Sequence, residues 1–268
     1  MMNIPMKSAK PLNQQSILSI NQQFVQGPKT SQNIQSINRG KSSALTHRSN
    51  GQIGNPDTCP PNTCHQHPLQ SSPLTPSISH KPCPVLINPI QKGQKIPLVS
   101  GEKLTNIQVR LGWNVTNPAC DVDVSAFLLN HTGKVIGDSW FVFYGQEKSP
   151  DGSTVFFIDQ NEDREVISVD FTKLNPHVSK IVFVLTIHEA LEKHLNFSMI
   201  KDAYIRIINP ISHVELVSFK MEEYYWNVTS MMIGELYQYN NIWKFSAIGN
   251  GVLRDLFGLC ELYGVQVV

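Results

Sequence analysis

Short apolar runs rich in valine, isoleucine and phenylalanine recur along the chain after residue 84, and turn residues separate them. Runs of this length with such boundaries are typical of β-strands. Ten of them within about 185 residues predict an all-β domain, folded as a two-sheet β-sandwich. The predicted strands lie at 106–113, 122–129, 140–144, 154–158, 165–171, 180–188, 203–208, 214–220, 231–239 and 243–248.

Two further segments show a helical pattern instead. Residues 252–262 carry apolar side chains at helical spacing, and residues 189–202 are also compatible with a helix. We therefore expect one or two short peripheral helices on the sandwich. A domain spanning residues 84–268 is long enough to enclose one sizeable core.

The N-terminal segment differs in amino-acid composition from the rest of the chain. Residues 1–83 hold a single aromatic residue, Phe24, and are rich in Gln, Asn, Ser and Pro. Such a composition buries too little apolar surface to offset its conformational entropy, so this low-complexity tail is predicted to be disordered. Its cysteines and histidines could in principle bind zinc, but their spacing is not that of a common finger, and a bare linker is favoured. They are Cys59, Cys64, His65, His67, His80 and Cys83.

Charge divides the chain in the same place. Residues 1–83 carry seven Lys and Arg against one acid, whereas residues 84–268 carry 15 against 20. The basic tail is too sparse to predict a nucleic-acid partner. No apolar run approaches the roughly 20 residues of a membrane span, and no signal peptide is evident at the N-terminus. A cytoplasmic location is expected, with peripheral membrane association left open.

Acidic residues are concentrated in one part of the domain. Residues 121–170 hold ten of the chain's 21 acids and only three basic residues. In the strand at 122–129, alternation places Asp121, Asp123 and Ser125 on one side, with neighbours roughly 6.5–7 Å apart. Two carboxylates at that spacing repel each other, and a divalent cation would relieve the conflict.

Two later segments add more carboxylates. Asp151 lies in a Pro-Asp-Gly turn, and the run from Asp159 to Glu165 also contains Glu162 and Asp163. If the strands pair, these pieces can converge at one end of the sandwich, where hard oxygen ligands would suit calcium. The EF-hand loop pattern fails from Asp121, where Ala126 and Thr132 replace the required Gly and Glu, and from Asp159, where Arg164 replaces the Gly. The alternative, that these acids only solvate loop tips, stays open.

The order of several motifs resembles the TerD tellurium-resistance and stress-protein family. The motifs are DVDVSAFLLN, FVFY, KSPDGS, IVFVLTIHEA, MMIGELYQYNNIWKFSAIGNG and YGVQVV, and the resemblance covers roughly residues 86–268. It implies a cytoplasmic β-sandwich that binds one or two calcium ions through acidic loops. The calcium ligands it implies are Asp121, Asp123, Asp151, Asp159, Asp163 and Glu165.

One departure from the family's pattern bears on the second calcium ion. Family members carry a glycine-rich insert between the acids of the third segment, where this chain has only Gln160, Asn161 and Glu162. Arg164 occupies the position of a further family acid. The shortened loop and the added cation put the second calcium site in doubt.

The function expected from these features is a non-catalytic calcium-binding module in a system of resistance to tellurite and other toxic compounds. Its implied partners are other stress-response proteins of that system. The first alternative is a metal-dependent, hydrolase-like enzyme, for which His188 is the only obvious base. A structural role for His188 is favoured over a catalytic one, because no nucleophile motif accompanies it. The second alternative is a module that binds a nucleotide, namely cyclic AMP.

Overall fold

The computed structural model describes residues 80–99 and 104–267. Within them, eleven strands and one α-helix, α1 (Leu256–Tyr263), form the domain. The strands are β1 (Lys95–Pro97), β2 (Asn106–Val115), β3 (Val122–Leu129), β4 (Phe141–Val142), β5 (Thr154–Ile158), β6 (Glu165–Asp170), β7 (Lys180–Ile187), β8 (Ile200–Ile208), β9 (Glu215–Lys220), β10 (Ser230–Tyr239) and β11 (Ile242–Val252).

The strands build two antiparallel sheets, which confirms the predicted all-β sandwich. The six-stranded sheet has the order β1-β11-β10-β7-β3-β4, and the five-stranded sheet has the order β5-β6-β2-β8-β9. Alternation along β2 sends Ile107, Val109 and Leu111 into the core, where none of them has any exposed surface. The intervening residues of β2 therefore point to the outer face of the five-stranded sheet.

Several strand boundaries differ from the prediction. No predicted strand covers β1, whose three residues pair with β11, Ile96 opposite Phe245. The strand predicted at 140–144 is reduced to β4, because a 3₁₀ turn occupies Asp138–Trp140. Conversely, β11 continues to Val252, well beyond the predicted end at 248.

The helix predicted over 189–202 is wrong. Glu189 and His194 adopt left-handed backbone conformations, with φ of 52° and 54°, which an α-helix cannot contain. A 3₁₀ turn follows at Phe197–Met199, and β8 begins at Ile200, which pairs with Val115 of β2. The helix-forming residues here are overridden by the pairing requirement of the sheet.

The C-terminal helix is confirmed in its second part. Val252 still belongs to β11, and α1 begins after Asp255, whose carboxylate accepts a hydrogen bond from the Gly258 amide. Gly264 ends the helix with φ of 81°, a conformation that favours glycine. Cys120 and Cys260 are buried free thiols.

Most of the N-terminal segment lies outside the described residues. The predictions of a disordered tail and of an unmetallated linker fall on it, apart from residues 80–83, which contact the sandwich. No helix in the described part of the chain is long and apolar enough to span a membrane.

Candidate functional site

A buried carboxylate, Asp163, organises the outer face of the five-stranded sheet. Arg110 of β2 and Arg206 of β8 are paired in register, and both face outward from the core. Asp163 Oδ1 accepts from Tyr204 Oη at 2.7 Å and Arg206 Nε at 2.9 Å. Its Oδ2 accepts from Arg206 Nη2 at 2.7 Å and Arg110 Nη1 at 3.2 Å. Four donors thus surround a carboxylate that has no exposed surface.

These contacts shift the ionisation of the groups around Asp163. Burial alone would lower the pKa of Arg206, but its bonds to Asp163 and Glu162 outweigh burial and raise it. Burial, reinforced by the adjacent Asp163 carboxylate, raises the pKa of Tyr204. The bidentate Arg206–Asp163 pair is therefore a fixed charge pair with strong, directional hydrogen bonds.

The turn between β5 and β6 supplies two more carboxylates to this face. Asp159 Oδ2 lies 3.0 Å from Arg110 Nη1, and Asp159 Oδ1 accepts from the Asn161 amide at 2.9 Å. Burial would raise the pKa of the Asp159 carboxyl, but bonds from backbone amides and the charge of Arg110 lower it. Glu162 is largely exposed and contacts Arg206 Nη2 at 2.7 Å.

Lys81 inserts its ammonium group beneath this turn. Lys81 Nζ donates to the carbonyl oxygen of Asp159 at 3.0 Å and also to the carbonyl oxygen of Asp163. The Lys81 backbone is held by Asn114, whose side chain accepts from the Lys81 amide at 3.0 Å and donates to its carbonyl at 2.8 Å. The turn therefore cradles a cation, and the cation comes from the chain itself.

Three cations and three carboxylates balance at this place, which we call the charged cluster. Its cations are Lys81, Arg110 and Arg206, and its carboxylates are Asp159, Glu162 and Asp163. None of these cations was predicted to belong to the site. Only Arg206 carried a signal in the pattern, since it interrupts the apolar run of the predicted strand at 203–208.

Glu165 lies near this cluster in the chain but faces the other way. It pairs in register with Leu111, a core residue, so its side chain points between the sheets. Glu165 Oε2 accepts from the Val124 amide of β3 at 2.7 Å, in a buried contact. This bond joins the five-stranded sheet to the backbone of β3. Val124 lies outside the pairing of β3 with β4, which involves Ala126 and Phe127.

Asp121 and Asp123 lie at the start of β3, on the six-stranded sheet. Asp121 is exposed, and its carbonyl accepts from the His188 amide at 2.7 Å. Asp123 is partly buried and lies opposite Thr186 of β7. The Glu165 bond to Val124 shows that this part of β3 and the start of β6 lie at the same end of the sandwich.

Asp151 is not at that end. Its carboxylate closes the turn before β5 by accepting from Ser149 Oγ at 2.7 Å and the Ser153 amide at 2.9 Å. It also accepts from the Asn175 amide at 2.8 Å. The five residues of β5, roughly 17 Å of strand, separate this turn from Asp159. The expected convergence of all three acidic segments is therefore wrong for Asp151.

The structure does not bring the six predicted ligands together at one place. In residues 80–99 and 104–267, no group of three or more His, Cys, Asp and Glu side chains is arranged to hold a metal ion. The backbone of the turn at 159–163 has carbonyl oxygens that surround a cation, and the Lys81 ammonium group occupies the place that a metal ion would take. Its carbonyl and carboxylate oxygens are the hard ligands that calcium uses, but three nearby cations already balance their charge.

Arg164 packs against β2. Its Nε donates to the Trp113 carbonyl, and its Nη2 lies 3.3 Å from Asn114 Oδ1. The guanidinium carbon is 5.7 Å from the centre of the Trp113 ring. Burial lowers the pKa of Arg164, against the opposing effect of Glu165. Arg164 thus adds packing and a fourth positive charge near the cluster.

Asp151 allows a direct test of its structural role through pH. Burial would raise the pKa of the Asp151 carboxyl, but the bonds from Ser153, Ser149 and Asn175 outweigh burial and lower it. A lowered folded-state pKa stabilises the protein above the carboxyl's ordinary pKa, and this contribution is lost as pH falls through the folded-state value. Asp151→Asn should therefore cost stability at pH 7 and progressively less toward pH 3.

Urea unfolding of the wild type and the Asp151→Asn variant at several pH values measures this difference. Asp138→Asn, at an exposed aspartate that starts the 3₁₀ turn before β4, is the control. A difference between Asp151→Asn and wild type that stays constant down to pH 3 would contradict the ionic origin of the effect.

Comparison with known proteins identifies the family of this chain. The family model described as "TerD domain" matches residues 87–263. This chain belongs to the TerD domain family. Among its relatives, "Tellurium resistance protein TerD" of Serratia marcescens is 35% identical over 186 residues, which cover 66% of this chain and 97% of that protein. "General stress protein 16U" of Bacillus subtilis is 35% identical over 188 residues, covering 66% and 97%.

Other TerD-family relatives match over shorter lengths or at lower identity. "Chemical-damaging agent resistance protein B" of Clostridium acetobutylicum is 33% identical over 138 residues, covering 50% of this chain and 99% of that protein. The crystal structure of a TerD homologue from Streptomyces coelicolor covers 58% of this chain and 95% of its own. It has 16% identity and a TM-score of 0.46.

Proposed function

We propose that this chain acts in a stress response, as a non-catalytic binding protein. Its support is the family match over residues 87–263, together with relatives named for tellurium resistance and general stress. Those relatives are matched over 97% of their length, so what they share with this chain is the sandwich itself. The proposed activity therefore resides in the domain that follows the tail.

The proposed ligand of the charged cluster is calcium, bound in competition with Lys81. The carbonyl oxygens of Asp159 and Asp163 already converge on a cation, and the carboxylates of Asp159 and Glu162 lie in the same turn. Calcium affinity depends on the negative charge that a site presents. Because Lys81, Arg110 and Arg206 balance the three carboxylates, we expect calcium to bind weakly, in the millimolar range.

Calcium titration tests the ligand. Binding to the folded state alone stabilises it by about 1.4 kcal/mol when the free ion reaches ten times its Kd. The melting temperature should therefore rise between 1 and 20 mM calcium, and Asp159→Asn should reduce the rise. Asp170→Asn, a partly buried aspartate at the other end of the same hairpin, is the matched control. Equal responses of both variants and the wild type would contradict a site in this turn.

A resistance assay tests the stress-response role. The full chain, expressed in a bacterium that lacks its own TerD, should raise the tellurite concentration at which growth stops. Asp159→Asn should lower this tolerance if the turn takes part, whereas Asp170→Asn should leave it unchanged. Wild-type chain that is folded in the cells and gives no tolerance would contradict the proposed role.

A further inference from the structure

A small cavity lies on the six-stranded sheet, away from the charged cluster. It has a volume of about 70 Å³, and Asp123, Ser125 and Thr186 lie along its floor. The start of α1 and the loop after β4 form apolar walls, with Phe143 and Phe257 among them. The helix is held on this face by Tyr263, whose ring centre lies 4.5 Å from that of Phe127.

The three floor residues form a triangle on neighbouring strands. Asp123 and Ser125 are alternate residues of β3 and share one face. Thr186 of β7 is directly opposite Asp123 in the register. Directly opposed Cβ atoms lie about 4.5–5.5 Å apart, and diagonal neighbours about 7–8 Å apart. Three oxygen-bearing groups are therefore presented to one small volume.

Two of these groups are buried hydroxyls that have no hydrogen-bond partner. Ser125 is 3% exposed and Thr186 is 6% exposed. Neither Ser125 Oγ nor Thr186 Oγ1 is paired with any group in the described part of the chain. A buried unsatisfied polar group costs about 1–3 kcal/mol, so two of them in one cavity indicate a polar ligand that pairs with them.

The charged residues of the cavity determine which sign of charge a ligand should carry. Its lining contains the carboxylates of Asp123, Glu189, Glu192 and Asp255, together with His188, and no Lys or Arg. Lys193, outside the lining, offsets one of them, since its Nζ lies 2.8 Å from Glu189. Asp255 also caps α1. The lining therefore holds more carboxylates than cationic groups, which favours a cationic ligand and disfavours phosphates, including those of nucleotides.

We propose that this cavity binds a small organic ammonium ion. A primary ammonium group has three N–H donors and no acceptor, which matches the oxygens of Asp123, Ser125 and Thr186. The ammonium group enters the cavity, whose volume of about 70 Å³ is too small for a benzene ring, and the apolar part of the ligand packs at its open side against the partly exposed Phe143 and Phe257. Aromatic faces also attract cations, which adds to the preference. This site is separate from the proposed calcium turn, since it lies on the other sheet.

Binding of benzylamine tests the proposal. Calorimetric titrations would compare it with benzyl alcohol, which is neutral and similar in shape, and with benzoate, which is an anion. All titrations contain EGTA, so that the result is independent of calcium. Benzylamine should bind at least tenfold more tightly than benzyl alcohol, and benzoate should not bind. Equal binding of benzylamine and benzyl alcohol, or no binding of benzylamine, would overturn the proposal and leave the proposed stress role untouched.

A matched pair of variants locates the site. Ser125→Ala and Ser218→Ala each remove a buried hydroxyl that has no partner, the first in the cavity and the second on β9. Ser125→Ala should weaken benzylamine about fivefold, and Ser218→Ala should not change it. An equal effect of the two variants on affinity would place the ligand elsewhere and overturn the assignment.

Thr186→Val provides a second readout that a purely structural role would not give. Valine keeps the shape of threonine and removes an unpartnered hydroxyl, so the free protein should melt at a higher temperature. The same variant should bind benzylamine more weakly. A variant that melts lower than wild type and binds benzylamine normally would show that the hydroxyl serves the fold, and would overturn its place in the site.

Discussion

Replacing Asp163 by asparagine should destabilise the domain by about 3–5 kcal/mol, the range observed when one partner of a buried ion pair is removed. The Asp163 carboxylate accepts four hydrogen bonds from Tyr204, Arg206 and Arg110 while having no exposed surface. Asparagine has a similar shape, but it carries no charge and turns an amide donor toward two guanidinium groups. The arginines would then lie against the sheet without their main counter-ion.

Urea unfolding at neutral pH measures this loss. Glu162→Gln is the matched control, because Glu162 contacts the same arginine, Arg206, from an exposed position. Exposed ion pairs contribute about 0–1 kcal/mol, so the control should change stability by less than 1 kcal/mol. A loss below 1 kcal/mol in Asp163→Asn would mean that water or rearrangement satisfies the arginines, and that the charged cluster does not hold this face together.

Asp163 also shows how far the sequence could predict the site. Its position in an acidic run indicated a metal ligand, and the run does form a turn at the end of the β5–β6 hairpin, as the strand pattern predicted. Its partners come from β2 and β8, and they lie 41 to 53 positions away in the chain. Strand alternation places Arg110 and Arg206 on a face, but the register that brings them opposite each other is not encoded locally.

The predicted helix at 189–202 failed for a related reason. The segment EALEKH contains good helix formers, and intrinsic propensity is a weak prior that tertiary context overrides. Here the start of β8 must pair with Val115, which leaves no room for a helix through residue 200. By contrast, β3 and β5 were predicted to the residue, because alternation and clear turn residues define them without reference to distant strands.

The contact of Lys81 with the turn at 159–163 could not be predicted from the local sequence. It precedes the family match, which begins at residue 87, and its low-complexity surroundings gave no hint of an ordered role. In the structure its ammonium group lies in the turn at 159–163, 78 to 82 residues away. A residue at the end of the tail thereby supplies the charge that a bound ion would otherwise supply.

Lys81→Met should therefore increase calcium affinity at least tenfold. Methionine retains the apolar length of the side chain and removes the ammonium charge, which leaves the carbonyl oxygens of Asp159 and Asp163 without this donor. The cluster then changes from balanced to one net negative charge, and a cation entering the turn no longer competes with a tethered one. Without calcium, the variant should be slightly less stable than wild type, because two carbonyls have lost a charged partner.

Calcium titration by calorimetry, with melting temperatures recorded in EGTA and in calcium, separates these two effects. Lys92→Met is the matched control, because Lys92 pairs with Glu223 at an exposed site on another part of the domain. Its calcium affinity should equal that of wild type. If Lys81→Met binds calcium no better than Lys92→Met, the turn at 159–163 does not exchange its lysine for the ion, and Lys81 serves only to fasten the end of the tail to the sandwich. A gain confined to Lys81→Met would identify that fastening as the feature that keeps the calcium affinity of this chain low.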